Sequence, residues 1–380
     1  MNYLVKVKTE RSVERPTKAI VNLEAISHNI SEIRKRIGHR RDLMAVVKAD
    51  GYGHGAVRVS LAALKSGANC LGVALPEEGE QLRKAGIEVP ILVLGLIRPE
   101  EAYKPINFGL DQTVCSLELA EALDQEARKV SVQVNVHVKV DTGMGRIGVK
   151  PEGALDLVRK ISQFGNLKLT GIFTHLSCAD EADKAFTKKQ IEIFDSAVRE
   201  IEASGIDIPK KHIANSAAIL DLPESYYDLV RPGIMIYGLY PSKHVSRSIE
   251  LKPAMTLKTR VLYLKSVPAG TPISYGRAFS TKKDTFVATL PVGYADGYSR
   301  LLSNRGYVLI KGRQAPLIGH VCMDMCMIDI TGINHVKPGD EVILFGEDPS
   351  VDEIARQIGS INYEVVCSVG ERVPRIYVNG

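Results

Sequence analysis

The sequence predicts an α/β protein in which an N-terminal (β/α)8 barrel of the TIM type is followed by a mainly β domain, and three observations lead there. From about residue 40, strand-like apolar runs alternate with helical patterns. Eight strand candidates fall within roughly 200 residues, the number a closed parallel barrel requires. After Gly238 the helical patterns give way to short strand-like runs separated by Pro/Gly turns. A doubly wound open sheet shares the alternation, because counting elements does not show closure.

The barrel strand candidates are Leu43–Lys48, Cys70–Leu75, Ile91–Leu96, Gln112–Cys115, Val132–Asp141, Leu167–His175, His212–Asn215 and Leu229–Arg231. Amphipathic stretches at Ala56–Ser66, Glu77–Ala85, Leu117–Lys129, Ala154–Phe164 and Asp183–Ser204 read as the helices between them, several ending at Gly or Ser-Gly stops. Downstream, Thr259–Ser266, Thr285–Pro291, Tyr307–Ile310, Met325–Ile330, Glu341–Phe345 and Arg375–Tyr377 read as strands, and only Val351–Gln357 as a helix. The boundary is expected near Pro241–Lys252, giving a barrel domain over 1–250 and a β domain over 251–380.

Composition excludes several classes. With 45% hydrophobic and 24% charged residues the 380-residue chain is neither disordered nor fibrous. A net charge of +5, with lysines and arginines interleaved among acids, offers no basic tract for nucleic acid. Cys70, Cys115, Cys178, Cys322, Cys326 and Cys367 lie far apart, mostly in apolar strand-like segments, as small buried hydrophobes do, and a disulfide framework is not expected. No apolar run reaches the length of a membrane span and the charged start lacks a signal-peptide core, so no membrane association and a cytosolic location are expected.

Barrel enzymes draw their catalytic groups from the C-terminal ends of strands. Here those ends carry Lys48, then Lys139 and Asp141, then His175, then Asn215 and Ser216, then Arg231. Lys48 ends an apolar strand just before a glycine-rich turn, a setting that favours the neutral, nucleophilic amine of a Schiff-base lysine. In isolation, snorkelling to solvent would be the commoner fate of such a lysine. The turns Asn215-Ser216-Ala217 and Arg231-Pro232-Gly233-Ile234 present small residues able to hold a phosphate. A lysine on the first strand and a phosphate site after the last two together point to pyridoxal 5′-phosphate (PLP), held by an imine at one end and its phosphate at the other. Gly143-Met-Gly145-Arg-Ile-Gly148 matches a dinucleotide fingerprint, but no acid stands where a ribose-binding carboxylate belongs. His175 with Cys178, and Cys322 with Cys326, lack the spacing of paired zinc ligands.

The motifs MAVVKADGYGHG, VKVDTGMGRIG, HLSCAD, ANSAA, DLVRPGIMIYG, ISYGRAF, PVGYADGY, GHVCMDM and RVPRIY occur in this order from Met44 to Tyr377. In them the chain resembles the alanine racemases, over about Ala19 to Tyr377. The resemblance implies a homodimer that interconverts L- and D-alanine, in bacteria chiefly for peptidoglycan. Each site would lie between the PLP-binding barrel of one subunit and the β domain of the other. By the same resemblance Lys48 is the PLP lysine and the base on the D-alanine side, and Tyr275, from the partner, the base on the L-alanine side. A free tyrosine titrates near 10 and needs help as a base. A histidine matching His175 lies beside this tyrosine in the family, with Arg231 behind it. Arg231 would bond the pyridine nitrogen and His212 would bond Arg231 from behind. Tyr52, Ser216, Gly233, Ile234 and Tyr363 would cradle the phosphate, with Asn215 beside them. Arg146 would contact the cofactor and the substrate carboxylate, and Lys139 matches a lysine often carbamylated. Met323 would give the carboxylate a backbone N–H, with Asp324 beside it. Asp180, Tyr294 and Arg300 would line the access channel. His320 and Met325 depart from the family's usual arginine and glutamine at those places. Met1–Arg15 lies outside the motifs and is assigned no role.

Three rivals carry their own signatures. A PLP decarboxylase on the same plan would pair the pyridine nitrogen with a carboxylate instead of Arg231. A non-catalytic PLP carrier would keep the barrel alone, without the β domain that bears Tyr275. A broad-specificity or serine-preferring racemase differs by one hydroxyl in the substrate, worth a few kcal/mol at most. Tyr363, crowding the side-chain pocket, leans toward alanine.

Overall fold

The structure, a computed structural model, describes residues 15–380, so most of the N-terminal extension lies outside the described residues. Two compact units form: one comprises Val21–Met255 with Tyr377–Gly380, the other Thr256–Ile376 together with the described residues up to Ile20.

The first unit is the barrel. Its parallel sheet runs β8-β7-β6-β5-β4-β3-β2-β9, built from β2 (Asp42–Val46), β3 (Cys70–Val73), β4 (Ile91–Val93), β5 (Asp111–Val114), β6 (Val134–Lys139), β7 (Leu167–Phe173), β8 (Lys211–His212) and β9 (Leu229–Val230). Each of the eight runs read from the sequence overlaps one of them, though β2, β5 and β8 begin one residue earlier and β8 shares only His212 with its run. β9 pairs with β2 in parallel, Asp42 opposite Leu229 and Leu43 opposite Val230. From the other side, the Asp228 N–H donates to Lys211 O (3.1 Å) and the Arg231 N–H to Ala214 O (2.9 Å), which joins β9 to β8 and rules out the open doubly wound sheet. Closure makes the last strand a neighbour of the first. The loop after β9 therefore lies beside the end of β2, and the Val46 N–H donates to Pro232 O at 3.1 Å.

A helix the sequence reading left unassigned, Leu23–Ile37, precedes β2. Its start is fixed by Asn22, whose side chain accepts from the N–H groups of Glu24 and Ala25, and its end by Gly38 at φ 77°. Ile26, Ile30, Ile33 and Ile37 form its buried stripe at helical spacing. On β6 the alternation is sharp: Val134, Val136 and Val138 share one face, and Asn135, His137 and Lys139 the other. His137 lies against Gly171 of β7, where a Cβ would stand 2.4 Å from its Nδ1.

The second unit is mainly β. Its six-stranded sheet runs β16-β15-β18-β10-β1-β19, from β1 (Lys18–Asn22), β10 (Met255–Arg260), β15 (Tyr307–Ile310), β16 (Arg313–Pro316), β18 (Glu341–Phe345) and β19 (Arg375–Val378). A three-stranded sheet orders β11 (Tyr263–Val267), β14 (Thr285–Leu290) and β17 (Cys326–Asp329), and a hairpin pairs β12 (Pro272–Ile273) with β13 (Phe279–Ser280). Four expectations are corrected here. A barrel domain over 1–250 would hold the whole N-terminus, whereas β1 is flanked by β10 and β19 and its residues through Ile20 join the β unit. The run Thr259–Ser266 is two strands, because the chain changes sheets at Val261-Leu262: the Val261 N–H donates to Asp340 O and the Leu262 N–H to Thr289 O, both at 2.9 Å. A second helix, Asn362–Cys367, follows Val351–Ile358. All six cysteines are free thiols, and only Cys70 and Cys326 are buried. Among the described residues no helix is long and apolar enough to cross a membrane.

Candidate active site

Lys48 stands two residues beyond the end of β2 and is half-buried. The Val47 N–H donates to Gly72 O (2.9 Å), so the strand end is held by the neighbouring β3 as well as by the loop after β9. Beyond the lysine the backbone turns left-handed: φ is 52° at Ala49, 51° at Asp50, 61° at Gly51 and 52° at Tyr52. Outside glycine this conformation costs roughly 1–2 kcal/mol per residue, so the surroundings must enforce it. Glu78 does so from the first turn of the helix Pro76–Lys84, accepting from the Ala49 N–H through Oε1 (2.6 Å) and from the Ala74 N–H through Oε2 (2.7 Å). Asp50 closes the far side by accepting from the Ala56 N–H (2.8 Å), which starts the helix Ala56–Lys65.

The same turn delivers Tyr52 into the barrel unit, buried and stacked on Tyr237 with ring centroids 4.7 Å apart. Tyr237 in turn donates its hydroxyl to Val46 O (3.0 Å). Gly233 has no room for a side chain, since a Cβ would stand 2.5 Å from the Tyr52 hydroxyl oxygen. The Gly233 N–H donates to Ser216 Oγ (2.9 Å). Two hydroxyls and a backbone amide thus meet in a small polar cradle beside buried Ile234. Asn215 sets this corner: its Oδ1 accepts from the Ala218 N–H and its Nδ2 donates to Leu176 O.

Arg231 is buried at 5% exposure. Its Nη1 donates to His212 Nδ1 and His212 O, both at 2.7 Å, and its Nη2 to Thr174 O at 2.7 Å. Among the described residues no carboxylate pairs with it. Burial lowers its pKa to about 9, which still leaves it charged at neutral pH. A guanidinium only donates, so His212 Nδ1 accepts, its proton sits on Nε2, and that N–H donates to His137 Nδ1 (2.9 Å). His137 Nε2 is then the protonated nitrogen, 4.0 Å from Asp111 Oδ2. Burial first, then Arg231, keeps His212 neutral well below the usual histidine value, and His137 is pushed down to about 3 by burial, Lys210 and Arg231. His175 is also held well below its ordinary value, by burial, Arg231, Lys139, Arg146 and Lys48, and its Nδ1 lies 3.5 Å from Arg231 Nη2. Lys139 packs over the Phe173 ring at 5.1 Å, and burial with the charges of Arg231 and Arg146 brings its pKa to about 7.

The glycine-rich loop after β6 is occupied by its own sequence. Asp141 accepts from the Gly143 N–H (3.0 Å) and the Gly145 N–H (3.1 Å), so those donors are not open to a pyrophosphate. Although burial raises the Asp141 carboxyl, these amides, that of Met144 and Lys139 hold it below its ordinary value. Arg146 is exposed at the loop's end and Asp180 half-buried after β7. Among the described residues no group of three or more His, Cys, Asp or Glu could hold a metal ion.

In the β unit, Tyr275 sits at the turn between β12 and β13 and is 74% exposed. Tyr294, Arg300, Met323 and Asp324 are also exposed, and Tyr363 is half-buried on the helix Asn362–Cys367.

Residues 21–241 match the alanine racemase N-terminal domain and residues 254–377 the alanine racemase C-terminal domain. The chain belongs to the alanine racemase family. The alanine racemase of Desulforamulus reducens is 49% identical over 369 residues, 96% of this chain and all of that protein. That of Methanococcus maripaludis is 47% identical over 373 residues, 97% of this chain and 100% of its own. Among solved structures, alanine racemase of Clostridium difficile 630 superposes with a TM-score of 0.93 at 40% identity, covering 96% of both chains. Alanine racemase of Bacillus anthracis with bound L-Ala-P gives 0.91 at 35%, covering 96% of this chain and 95% of that one.

Of the residues matched to alanine racemase motifs, the barrel unit gathers Lys48, Tyr52, Lys139, His175, His212, Asn215, Ser216, Arg231, Gly233 and Ile234 around the ends of β2 and of β6–β9. The β unit carries Tyr275, Tyr294, Arg300, Met323, Asp324 and Tyr363. Two residues went unnamed in the sequence reading. His137 was legible: it stands two before Lys139 on an alternating strand, hence on the same face. Tyr237, within DLVRPGIMIYG, gave no signal beyond an aromatic in an apolar run.

Proposed function

We propose that this chain racemises alanine with PLP in a homodimer, the D- and L-faces of the substrate being served by Lys48 and by Tyr275 of the partner subunit, respectively. The observation that carries the reading is Arg231, a buried cation held by carbonyl oxygens and a neutral histidine, with no carboxylate. The cradle of Tyr52, Gly233 and Ser216 fits a phosphate, because the one position where a side chain would fill it is glycine. Those residues with Ile234 and Tyr363 would hold the phosphate, Arg231 the ring nitrogen and Lys48 the carbonyl carbon. When bound, the cofactor withdraws charge from the amino acid's Cα and makes its proton removable.

The residues then divide the work. A proton must leave one face of Cα and return to the other, so two groups are needed: the Lys48 amine on one side and the Tyr275 phenol on the other. Arg231 could only donate to a ring nitrogen placed beside it, which would then stay unprotonated, draw less charge and limit side reactions. Neutral His175, with Nδ1 facing Arg231, has its Nε2–H to give to the Tyr275 oxygen. Arg146 and the Met323 N–H would hold the substrate carboxylate, and Asp180, Tyr294 and Arg300 the channel to it. A Lys139 with a pKa of about 7 is partly the neutral amine that carbamylation requires, and the resulting anion would orient Arg146. The product would supply D-alanine for peptidoglycan in the cytoplasm.

The test is incubation of the purified protein with L-alanine, L-serine and L-lysine separately, followed by chiral analysis. Racemic alanine with little change in the others is expected. Decarboxylated products, faster serine turnover, or no change in any substrate would overturn the assignment.

A further inference from the structure

The strongest unexplained feature lies in the β unit, at Asp296. Its carboxylate is wholly buried and faces two guanidiniums: Arg15 Nη2 at 2.6 Å and Arg372 Nε at 3.0 Å, both on Oδ1. Oδ2 accepts from the Gly293 N–H (3.0 Å). Arg15 also donates through Nη1 to Arg372 O (2.7 Å), and Arg372 reaches outward through Nη2 to Asp324 Oδ1 (2.7 Å). Three segments far apart in sequence are thereby tied at one point: the chain before β1, the 293–297 loop and the 370–375 segment. A fourth, the Met323-Asp324 loop, hangs on the outer arm.

The tie matters because of what two of these loops carry. The Tyr294 N–H donates to Cys322 O (3.0 Å) and the Ala295 N–H to Met323 O (3.1 Å), so the loop bearing Tyr294 is stitched along the loop bearing Met323. They are pressed together so closely that a Cβ at Gly293 would meet Cys322 O and Met323 O, each at 2.3 Å. Met323 is 53% exposed and Tyr294 43%, so neither loop is held by burying its own large side chain. The buried ion cluster beneath is the anchor.

We infer that Arg15, with Arg372, is a positioning residue for substrate binding, fixing through Asp296 and Asp324 the two loops that present Tyr294 and the Met323 N–H. This rests on the reading of those loops as substrate contacts, and it gives a role to a residue before β1 that the sequence reading left without one. A lone carboxylate with two buried-facing guanidiniums is badly served when one is removed, since the remaining charges then lie in a site built for three. A small displacement of a binding N–H is costly in affinity.

The experiment uses the dimeric holoenzyme and three variants: R15M, R15K and D324N. R15M is expected to raise KM for alanine about tenfold while kcat changes less than about threefold, with cofactor absorbance unaltered. R15K keeps the charge but not the fork, and should recover part of the affinity. Hydrogen exchange by mass spectrometry should quicken in 293–297 and 322–325 and stay as in the parent across the barrel helices. Should R15M not fold, D324N severs only the exposed arm and should give a smaller KM rise and faster exchange in 322–325. A parental KM, a fall in kcat at constant KM, or exchange quickened equally throughout would overturn the inference. A parent protein that fails to racemise alanine would instead overturn the functional reading beneath it.

Discussion

Lys48 and Tyr275 are both flanked by residues of positive φ, yet their settings differ. After Lys48, four residues in succession have positive φ, and each is held from within the barrel unit. Around Tyr275, Ser274 lies at φ 68°, ψ 179°, Gly276 at 63° and Arg277 at 54°. There the support is slight: Ser274 donates to His320 O (3.0 Å), and the tyrosine is 74% exposed. One turn is finished inside its own unit, whereas the other leaves an aromatic ring exposed. Under the proposed homodimer, the second would acquire its surroundings from the partner subunit.

The largest effect expected is from Lys48→Ala, which should lower racemisation by more than about 10³-fold. After borohydride reduction, mass spectrometry should find no pyridoxyl group on the peptide containing residue 48, where the parent carries one. Labelling elsewhere at parental yield would break the assignment. Tyr275→Phe should cost about 10²–10³-fold, with solvent exchange lost from the L face but kept from the D face. Because the ring is exposed, its stability should stay within about 0.5 kcal/mol of the parent by urea unfolding. Larger destabilisation would mean that the turn is already packed within one subunit.

The barrel half alone should confer a marked acid sensitivity. His137, His175 and His212 titrate below their unfolded values near 6.5, so as pH falls through 6 the unfolded chain takes up protons that the folded barrel refuses. Stability is then full above about 6.5 and declines below it, by up to about 1.4 kcal/mol per pH unit for each histidine. Replacing His137 by Gln should flatten the decline, which urea midpoints at pH 7 and pH 5 would measure; an unchanged slope would show the histidine protonated when folded. The smallest effect is a gain. Ala49→Gly should raise stability by about 0.5–1 kcal/mol, since glycine adopts φ 52° without penalty. The same change should not slow racemisation if the turn's shape alone matters there.

How much of this was legible depends on what kind of force sets each part. Strands such as Asp42–Val46, Cys70–Val73 and Ile91–Val93 could be read because burial on both faces makes continuous apolar runs, and Val134–Lys139 by its alternation of valines with polar residues. The change of sheet at Val261-Leu262 could not, because apolar residues continue through it without Gly or Pro. The helix Asn362–Cys367 is six residues rich in β-branched valine, which packing rather than propensity sustains. The left-handed turn after Lys48 was also hidden: the local rule assigns that conformation to glycine, whereas Ala49, Asp50 and Tyr52 are driven into it by Glu78 and by the helix at Ala56. Lys48, His175 and Arg231 are singled out by their places at strand ends. The order of the strands around the closed barrel, which sets Arg231 beside Lys48 and not opposite, emerged only from pairing.

The string Arg231, His212, His137 has a direction. Every hydrogen bond in it is given outward from the arginine, and each neutral ring holds its single proton on the side away from the guanidinium. To carry a proton toward Arg231, both rings would have to reverse, and to pass it on the arginine would have to surrender a proton it keeps at neutral pH. This string therefore acts as a proton insulator beneath Arg231, and under the proposed function solvent protons would have to reach the reacting carbon from the mouth of the barrel.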